Sequence, residues 1–512
     1  MRWLVFGSYD ARRHPRVGVL VEGLRSAGDE VTELNEPLTL DTAGRIAMLR
    51  QPWRLPLLAG KLARCWALLV LRTRRHGRGA AGAGPGAGAV DAVLVGYLGH
   101  FDVHLARWLF RRTPIVLDHL VSAAGTARDR GLAGSGGSGG LRGRLLRAID
   151  DTALRRADVV LVDTAEHLAV LPAPARERGM VVPVGAGPEW FAAGARTARQ
   201  RWSGERSERS GERPAGSAGQ PECRGETDGG GRRRLRVVFV GLFTPLHGTG
   251  TLGAALAALA ADESIEVTVV GTGQDHAACR RAAAANPRVT WYDWIPAVEL
   301  PALVARHQVS LGIFGETVKA GRVVPTKVFQ GAAAGCAIVT SDTGPQRRAL
   351  GDAAVYVPAG DPSALAAALR ELAGDPERVA GLRRAARRRA VAYFWPATVV
   401  EPVRHRVGAI PTPGTPTEPP GTPTEPPGTP TEPPGTPTEP PGTPTEPPGT
   451  PTEPPGTPTE PPGTPTEPPG TPTEPPGVPA GPRGAAPDAR GAAPDPRGAR
   501  SEAADVPGWW IG

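Results

Sequence analysis

Short apolar runs alternate with helical patterns along two stretches of this 512-residue chain, and that alternation limits the possible folds more than any other feature. In residues 1–192 the predicted strands are Trp3–Phe6, Val31–Leu34, Ala92–Tyr97, Ile115–Asp118, Val159–Asp163 and Val181–Val184. In residues 234–410 they are Arg236–Val240, Val267–Val270, Val289–Trp291, Val309–Phe314 and Val355–Val357. Strands that alternate with helices form parallel sheets covered on both faces. The sequence therefore predicts an α/β protein with two Rossmann-like domains.

Composition changes sharply between and after these two regions. Residues 193–233 mix Gly, Ser, Arg and Glu and hold little apolar surface to offset the entropy of ordering, so we expect a disordered linker. From Gly414 to Pro476 the heptapeptide GTPTEPP repeats nine times, and three prolines in every seven residues exclude helix and sheet. We therefore expect residues 411–512 to form an extended, disordered tail that is available to an unknown partner.

The formal net charge of +8 understates how basic the folded part is. The nine repeat glutamates lie in the tail, which leaves about +17 on the residues before it. Such a charge favours acidic partners: phosphorylated ligands, anionic lipid or nucleic acid. The sequence contains neither a nucleic-acid-binding motif nor aromatics interleaved with its basic runs, so we expect no nucleic acid partner.

Lysine is rare in this arginine-rich chain, and two of its three lysines, Lys319 and Lys327, lie in one stretch, Leu311–Asp342. That stretch reads as strand, loop, helix and strand, with Pro325 suited to the first turn of the helix. Lys327 would then join the free N–H groups of a helix start at the carboxyl end of a strand, where α/β sheets bind ligands. We predict an anion site here. The alternative is that Lys327 is a solvated charge.

Residues Met1–Tyr9 read as a first strand and not as a secretory leader, because they lack a charged start and a long apolar core. The four cysteines show no paired spacing, so neither a disulfide framework nor a zinc site is indicated. Both observations favour the cytoplasm.

The apolar segment Leu55–Leu71 is interrupted by Lys61 and Arg64, which makes it too short and too charged to span a bilayer. Arginines flank it at positions 54, 72, 74 and 75. Two interpretations are open. The segment lies in a membrane interface with its arginines on anionic headgroups, or it is a helix that covers the sheet.

Several motifs resemble, in order and spacing, those of glycosyltransferase family 4. In the second domain they are GLFTPLHGTGTL (Gly241–Leu252), VTVVGTG (Val267–Gly273), VVPTKVFQGAAAGCAIVTSD and VPAGDPSALAAAL. In the first domain the runs FGSYDARRHPRVGVLVEGL, DAVLVGYLGHFD, DVVLVDT and VVPVGAGPEWF are similar to the acceptor-side domain of one bacterial subgroup.

The resemblance implies a GT-B fold, in which the second domain binds a nucleotide diphosphate sugar, the first binds the acceptor, and a cleft separates them. It also implies transfer with retention of anomeric configuration and no requirement for a metal or other cofactor. The expected partners are a nucleotide-sugar donor and a lipid-linked or cell-surface glycan acceptor, met at the cytoplasmic face of the inner membrane. A departing diphosphate needs cations and helix N-termini beside it, and Lys327 suits that task.

Residue by residue, the match at the donor site is partial. Gly241, Gly248 and Gly271 keep the glycine positions of the family, but two residues beside these glycines differ from it. His247 stands where the family often has a lysine, and Leu242 stands where an arginine is common. A helix start disfavours imidazolium, so we expect His247 to be largely neutral and to donate one hydrogen bond to a phosphate.

The family's paired glutamates, which have seven residues between them, are also altered. Gln330 replaces the one that usually holds the ribose hydroxyls, and Arg322 replaces the other. Arg322 is a candidate for the missing phosphate cation, and Glu316 is the nearest acid for a sugar hydroxyl. The alternatives are a solvated loop charge for Arg322 and an ion pair with Lys319 for Glu316.

Asp118 and His119 follow a strand of the first domain, so they should face the cleft. The resemblance implies that His119 contacts the transferred sugar, and Gly99 and His100 carry a weaker suggestion of the same kind. The alternative is a core histidine paired with Asp118.

Together these features predict a retaining glycosyltransferase that moves a sugar from a nucleotide diphosphate sugar to a lipid-linked or cell-surface glycan. One rival is a non-catalytic GT-B pair that serves as a binding scaffold, because the altered lysine and glutamates weaken the donor site. A nucleotide-sugar epimerase has less support, because no acid and base residues for it are apparent.

Overall fold

The computed structural model describes residues 1–10, 14–38, 55–81, 90–97, 99–120, 122–125, 140–210 and 234–410. The second part of the expected linker (211–233) and the expected tail (411–512), with its repeats, lie outside the described residues. The described residues form two parallel sheets of six strands each, with helices packed on them. This confirms the predicted α/β class with two Rossmann-like domains.

The first sheet consists of β1 (Arg2–Gly7), β2 (Glu30–Asn35), β3 (Ala92–Val95), β4 (Ile115–Asp118), β5 (Val159–Val162) and β6 (Gly179–Val181). Its neighbouring strands are all parallel, in the order β2-β1-β3-β4-β5-β6. Its helices are Pro15–Ser26, Leu55–Ala81, Asp102–Leu109, Leu141–Arg156, Ala165–Ala169 and Ala173–Arg176. Strands β3, β4 and β5 are buried along their whole length, as expected for the middle of a parallel sheet covered on both faces.

The second sheet consists of β7 (Leu235–Val240), β8 (Ile265–Val270), β9 (Val289–Tyr292), β10 (Val309–Leu311), β11 (Ala337–Ser341) and β12 (Ala354–Val357). It is also parallel, in the order β12-β11-β10-β7-β8-β9. Its helices are Thr249–Ala258, His276–Ala282, Leu300–Ala305, Thr326–Ala333, Gly344–Leu350, Pro362–Gly374 and Pro376–Tyr393. The chain proceeds outward from β7 on one side and from β10 on the other. The ends of these two strands therefore form the topological switch point, where open α/β sheets bind ligands.

The helix Pro188–Ser210 corrects the predicted domain boundary. The disordered linker expected over residues 193–233 is wrong for its first part, because residues 193–210 are helical. The start of this helix is anchored in the second domain, whose core buries Trp190 and Phe191. Gly194 lets the helix cross closely over the second domain, since an added Cβ would lie 2.8 Å from the carbonyl group of Ala334. Apolar residues before position 193 therefore stabilise a segment whose own composition is polar.

The last described helix, Pro396–Gly408, returns to the first domain and packs against the helix Pro15–Ser26. The two helices touch at Gly23, where an added Cβ would lie 2.3 Å from the carbonyl oxygen of Pro396. Arg404 also donates from Nε to Asp29 Oδ2 at 2.6 Å. Each domain therefore completes its core with a segment from the other half of the chain.

The carboxyl edge of the first sheet contacts loops of the second domain. Thr164 lies just after β5, and its hydroxyl donates a 2.7 Å hydrogen bond to the carbonyl oxygen of Arg322. Glu166, two residues later, pairs with Arg348. Within the described part of the chain, none of the helices combines the length and the apolar character needed to cross a lipid bilayer.

Candidate functional site

The predicted donor-side residues converge at the carboxyl ends of β7 and β10. Gly241 follows β7, and a short 3-10 turn, Pro245–His247, leads to the helix Thr249–Ala258. Gly248 joins the turn to the helix with a φ of +63°, and an added Cβ there would lie 2.3 Å from the carbonyl carbon of Phe314. Only glycine permits both the left-handed backbone and this close approach of the two loops.

The helix Thr249–Ala258 has an uncapped start. Gly248 occupies the N-cap position and has no side chain to accept a hydrogen bond from the first-turn N–H groups. The hydroxyl of Thr249 is buried and has no hydrogen-bond partner among the described residues. The first turn therefore offers backbone donors to an anionic ligand.

Lys327 brings a positive charge to the same place, from the first turn of the helix Thr326–Ala333. Only 9% of its surface is exposed, and its Nζ has no hydrogen-bond partner within the described ranges. The Nζ lies 3.9 Å from the centre of the Phe239 ring, and an added Cβ on Gly241 would lie 2.6 Å from it. Burial lowers the pKa of Lys327 well below its usual value. A negatively charged ligand would raise the pKa of Lys327 again, because it stabilises the ammonium.

His247 is buried beside these groups, and its Nδ1 faces the carbonyl oxygen of Leu242. We therefore assign the ring hydrogen to Nδ1. Burial, Lys327 and Lys319 all lower the pKa of His247 well below its usual value. A neutral ring in this tautomer presents a lone pair at Nε2, so the expected hydrogen bond from neutral His247 to a phosphate does not hold. His247 donates to an anion from Nε2 only as imidazolium.

Two glycines bring the ends of β7 and β8 together. Gly271 has a φ of +123°, and an added Cβ there would lie 2.0 Å from the carbonyl oxygen of Gly241. The N–H of Gly241 donates to the carbonyl oxygen of Val270 at 3.0 Å. Neither glycine tolerates a side chain, and the space above Gly241 is occupied by the Lys327 ammonium.

A groove of about 470 Å³ opens beside the helix start, lined by residues 248–251, Asp275, Glu316 and their neighbours. This volume lies within the range of small-ligand sites. Glu316 is exposed, and its carboxylate lies against Gly360, where an added Cβ would be 2.3 Å from the carboxyl carbon. The N–H of Gly360 is held by the carbonyl oxygen of Phe314 at 2.9 Å. The groove is therefore lined by the free N–H groups of the helix start and by two carboxylates, Asp275 and Glu316.

The two altered glutamate positions are separated in the structure. Gln330 lies three residues after Lys327 on the same face of the helix Thr326–Ala333 and is also 9% exposed. Arg322 lies in the short turn Ala320–Arg322, where its carbonyl accepts the bond from Thr164 of the first domain. The structure thus places Gln330 with Lys327 and places the backbone of Arg322 at the contact between domains.

His119 lies in the first domain, directly after β4, and is buried. Burial and the neighbouring His100 lower the pKa of His119 to about 3, which keeps the ring neutral. Its ring centre lies 5.2 Å from that of His100. Asp118 Oδ1 accepts from Arg16 Nε at 2.6 Å, while Asp118 Oδ2 and His119 Nδ1 have no hydrogen-bond partner among the described residues. The alternative pairing of His119 with Asp118 therefore does not occur in this structure.

Three residues near these sites were not predicted: Thr249, Gly360 and Asp150. Thr249 is the first residue of its helix, but the sequence pattern predicts a helix that begins only at position 251. Thr249 was missed because the predicted helix begins two residues too late. The role of Gly360 depends on its long-range contact with Glu316, which has no local signal. Asp150 lies in the helix Leu141–Arg156, where an acidic residue reads as a solvated charge. Its carboxylate is in fact buried.

Comparison with known proteins identifies the second domain. Residues 234–375 match the family model described as glycosyl transferases group 1. These residues carry β7 to β12, the glycine turn and Lys327. No curated protein matches the sequence of the chain.

Solved structures of similar fold include two bacterial proteins. HepE from Anabaena in complex with UDP-glucose aligns with a TM-score of 0.51 and 13% identity, covering 80% of this chain and 100% of that chain. Sucrose-phosphate synthase from Thermosynechococcus elongatus aligns with a TM-score of 0.54 and 16% identity, covering 79% and 97%. These alignments confirm the predicted GT-B fold, and the family match lies within its second domain, over residues 234–375.

Proposed function

Because the second domain is a glycosyl transferases group 1 domain within a GT-B fold, we propose that the protein is a retaining glycosyltransferase of family 4. It moves a sugar from a nucleotide diphosphate sugar to a lipid-linked or cell-surface glycan. The observation that carries the proposal is the Lys327 ammonium, which is buried at the switch point without a hydrogen-bond partner among the described residues. A diphosphate supplies the negative charge that this ammonium requires.

The leaving nucleoside diphosphate gains negative charge as its bond to the anomeric carbon breaks, and three groups are positioned to stabilise it. Lys327 donates from Nζ, and the first turn of the helix Thr249–Ala258 donates from its free N–H groups. His247 donates from Nε2 once it is protonated. Together these groups neutralise the diphosphate, so the proposal includes no metal ion or other cofactor at this position.

The remaining residues suit the neutral parts of the substrates. The Glu316 carboxylate lines the groove and suits a hydroxyl of the donor sugar. Gln330 both donates and accepts, as a ribose diol requires. Arg322 contributes a second cation where the domains meet. For His119, the family resemblance implies a place on the first-domain side, near the transferred sugar.

A direct test measures nucleotide diphosphate release by the full chain from a panel of donors. UDP-glucose comes first, because HepE is described in complex with it, followed by GDP- and other activated sugars, with membrane extract as the acceptor source. We expect release with one donor and a loss of about 10²- to 10³-fold in Lys327→Met, since the lost group acts on developing charge. Arg384→Met removes an exposed positive charge of the same domain and should leave the rate unchanged.

Two outcomes would count against this proposal. Release from no donor, or release that survives Lys327→Met, removes the site from the mechanism. A product of inverted anomeric configuration, read by proton NMR, rejects retention.

The helix Leu55–Ala81 supports the membrane face as the place of action. One side packs on the sheet through buried Cys65 and Leu69. The opposite side is an exposed stripe that combines apolar and basic side chains at helical spacing, Leu57, Lys61, Arg64, Leu71 and Arg75. Such a stripe suits the surface of an anionic membrane, where the leucines enter the interface and the cations meet headgroups.

Vesicle pelleting tests this surface. Arg72 already pairs with Glu36 at 2.6 Å, so the informative variant is Arg74→Gln/Arg75→Gln, which removes two exposed charges. We expect binding to vesicles rich in anionic lipid to fall about thirtyfold, since each cation near the surface contributes about 1 kcal/mol. Arg384→Gln/Arg388→Gln removes the same charge from the second domain and serves as control. Equal pelleting of both variants would remove this helix from the proposal.

A non-catalytic scaffold is the second candidate, and the glutamate positions favour it. Neither Gln330 nor Arg322 carries the negative charge of the carboxylate that it replaces. The carbonyl oxygen of Arg322 also accepts a hydrogen bond from Thr164 of the first domain. The same donor panel separates the two functions. A donor that binds but is never turned over, with water or with acceptor, identifies the scaffold.

A further inference from the structure

Three segments of the first domain bring metal-ligating side chains to one buried point. His100 lies in the turn after β3, and His119 lies directly after β4. Asp150 lies in the third turn of the helix Leu141–Arg156, which packs against the helix Asp102–Leu109. All three residues are more than 90% buried.

The ligand atoms are close enough for a single ion. One ring nitrogen of each histidine and one carboxylate oxygen of Asp150 all lie within 4.8 Å of one another. The closest pair, His100 Nε2 and Asp150 Oδ1, is separated by 3.1 Å. In a tetrahedral site with bonds of about 2.0–2.1 Å, ligand atoms lie about 3.3 Å apart, so this pair already has the required spacing.

The directions of these groups also suit a shared ion. His100 Nε2 has no aligned hydrogen bond among the described residues, although Asp150 Oδ1 is only 3.1 Å away. His119 Nδ1 is likewise without a partner in the described ranges. Two imidazole nitrogens that are buried and unsatisfied are costly unless something binds them. A metal ion shared by the three residues would bind one ring nitrogen of each histidine.

A purely structural explanation covers only part of the cluster. Asp150 accepts hydrogen bonds from the hydroxyl of Ser122 at 2.7 Å and from the N–H groups of Ala123 at 2.9 Å and Ala124 at 3.1 Å. These bonds hold the loop after β4 against the helix and explain why the carboxylate is buried. Asp150 also forms an ion pair with His100, so these contacts leave only His119 unexplained.

We propose that His100, His119 and Asp150 bind one divalent transition-metal ion, with Zn²⁺ as the best match. Two imidazoles and one carboxylate form a ligand set that zinc enzymes use, and a fourth position remains for water or a substrate oxygen. The ion joins the ends of β3 and β4 to the helix Leu141–Arg156 at the carboxyl edge of the first sheet. This departs from the expectation, made on the family resemblance, that the protein binds no metal. That expectation concerned the donor diphosphate in the other domain.

The test measures metal content on the untagged, full-length protein. The protein is stripped with a chelator, equilibrated with Zn²⁺ and separated from free metal, and its zinc is counted by mass spectrometry. We expect about one ion per chain. Substitutions of residues that only support a metal ligand weaken metal affinity by roughly 10- to 100-fold. His119→Ala and Asp150→Asn each remove a ligand and should weaken zinc binding by more than that. His405→Ala removes an exposed histidine of the helix Pro396–Gly408 and should bind zinc as the wild type does.

Cobalt provides a second measurement that does not depend on the variants. Co²⁺ in the stripped wild-type protein should show the strong visible absorption of a four-coordinate site and should be displaced by one equivalent of Zn²⁺. A wild-type protein that retains no stoichiometric zinc overturns the proposal, as does zinc binding that His119→Ala and His405→Ala weaken equally. If His119→Ala does not fold, as judged by circular dichroism, the cobalt spectrum decides the outcome.

Discussion

The Lys327 ammonium is costly to the folded protein in the absence of a ligand. It is buried without a hydrogen-bond partner in the described part of the chain, and its one compensation is the Phe239 ring 3.9 Å away. A buried unsatisfied charge costs more than about 1–3 kcal/mol, whereas a cation over an aromatic face contributes about 0.5–2 kcal/mol. The cost exceeds the gain, which is typical of a group kept for binding.

Lys327→Met should therefore stabilise the free protein while abolishing its site. Methionine keeps the length of the side chain and its contact with Phe239. We expect the free energy of unfolding, measured in urea near neutral pH, to rise by about 1 kcal/mol or more. Because the pKa of Lys327 in the folded state lies below the usual 10.5, the unfolded chain binds more protons than the folded one. The stability of the wild type therefore rises with pH, and the difference in unfolding free energy between Lys327→Met and wild type narrows towards pH 10.5. A variant less stable than wild type at neutral pH would contradict this account.

His247 should make nucleotide binding dependent on pH. Its pKa is well below the usual value in the free protein, and a bound diphosphate raises that pKa by attracting the imidazolium. Binding then takes up a proton, so affinity falls as pH rises between the free and bound pKa values, by up to about tenfold per pH unit for each proton taken up. Calorimetry in buffers of different ionisation enthalpy counts these protons.

His247→Gln is the matching variant, since its amide donates without titrating. On binding, His247→Gln should take up as much as one proton fewer than wild type. Its affinity should equal or exceed that of wild type at high pH, where neutral His247 donates no hydrogen bond from Nε2, and should fall below it at low pH. Equal proton uptake by the two proteins would show that His247 does not contact the diphosphate.

At the scale of single elements, the turn between β7 and the helix Thr249–Ala258 depends on Gly248. A side chain there meets two obstacles, the left-handed φ of +63° and the Phe314 carbonyl carbon 2.3 Å from the Cβ position. Gly250, in the first turn of the same helix, has nothing within 4 Å of its Cβ position. The two glycines therefore form a matched pair in one turn.

Gly248→Ala should lower the free energy of unfolding by about 1–2 kcal/mol for the backbone alone, with an added steric cost, and should weaken nucleotide binding. Gly250→Ala should raise it by about 0.5–1 kcal/mol, because alanine favours the helix. Urea unfolding measures both values. Equal effects of the two substitutions would mean that the close approach of the loops is not required.

The elements themselves were largely predictable from the sequence. Each predicted strand is present within two or three residues, because continuous apolar runs in a βαβ series can be satisfied only by buried parallel strands. The helix over Leu141–Arg156 was predicted to the residue. Pro325 was expected within the first helical turn and lies instead at the N-cap of the helix Thr326–Ala333. Helix ends are set by local capping, which apolar patterns do not report.

The candidate site was predictable only where its residues stand out along the chain. Lys327 did, because lysine is rare in this sequence, and Gly248 did, because it precedes a helix start. Asp150 did not, since its burial depends on a loop about 25 residues earlier. The tautomer of His247 depends on the Leu242 carbonyl, and its consequence for phosphate binding could not be read from residue type alone.

At the scale of the whole molecule, the described chain crosses between the two domains twice. The start of the helix Pro188–Ser210 is buried in the core of the second domain, and the helix Pro396–Gly408 is buried in the core of the first. Composition predicted a linker from residue 193, inside the helix Pro188–Ser210, because the polar part of that helix has the composition of a disordered segment. Neither domain is complete when cut at residues 193 or 396, so binding should be measured on the full chain.

The role of Lys327 is tested most directly by the affinity of nucleoside diphosphates for the full chain. UDP and GDP are titrated by calorimetry into wild type, Lys327→Met and Lys61→Met, the last removing an exposed lysine of the helix Leu55–Ala81. A hydrogen bond to a charged group contributes about 1.5–3 kcal/mol, so Lys327→Met should raise Kd by roughly 10- to 150-fold for the nucleotide that binds. Lys61→Met should bind as the wild type does. If neither nucleotide binds the wild type, or if Lys327→Met binds as tightly, the ammonium does not serve a donor diphosphate.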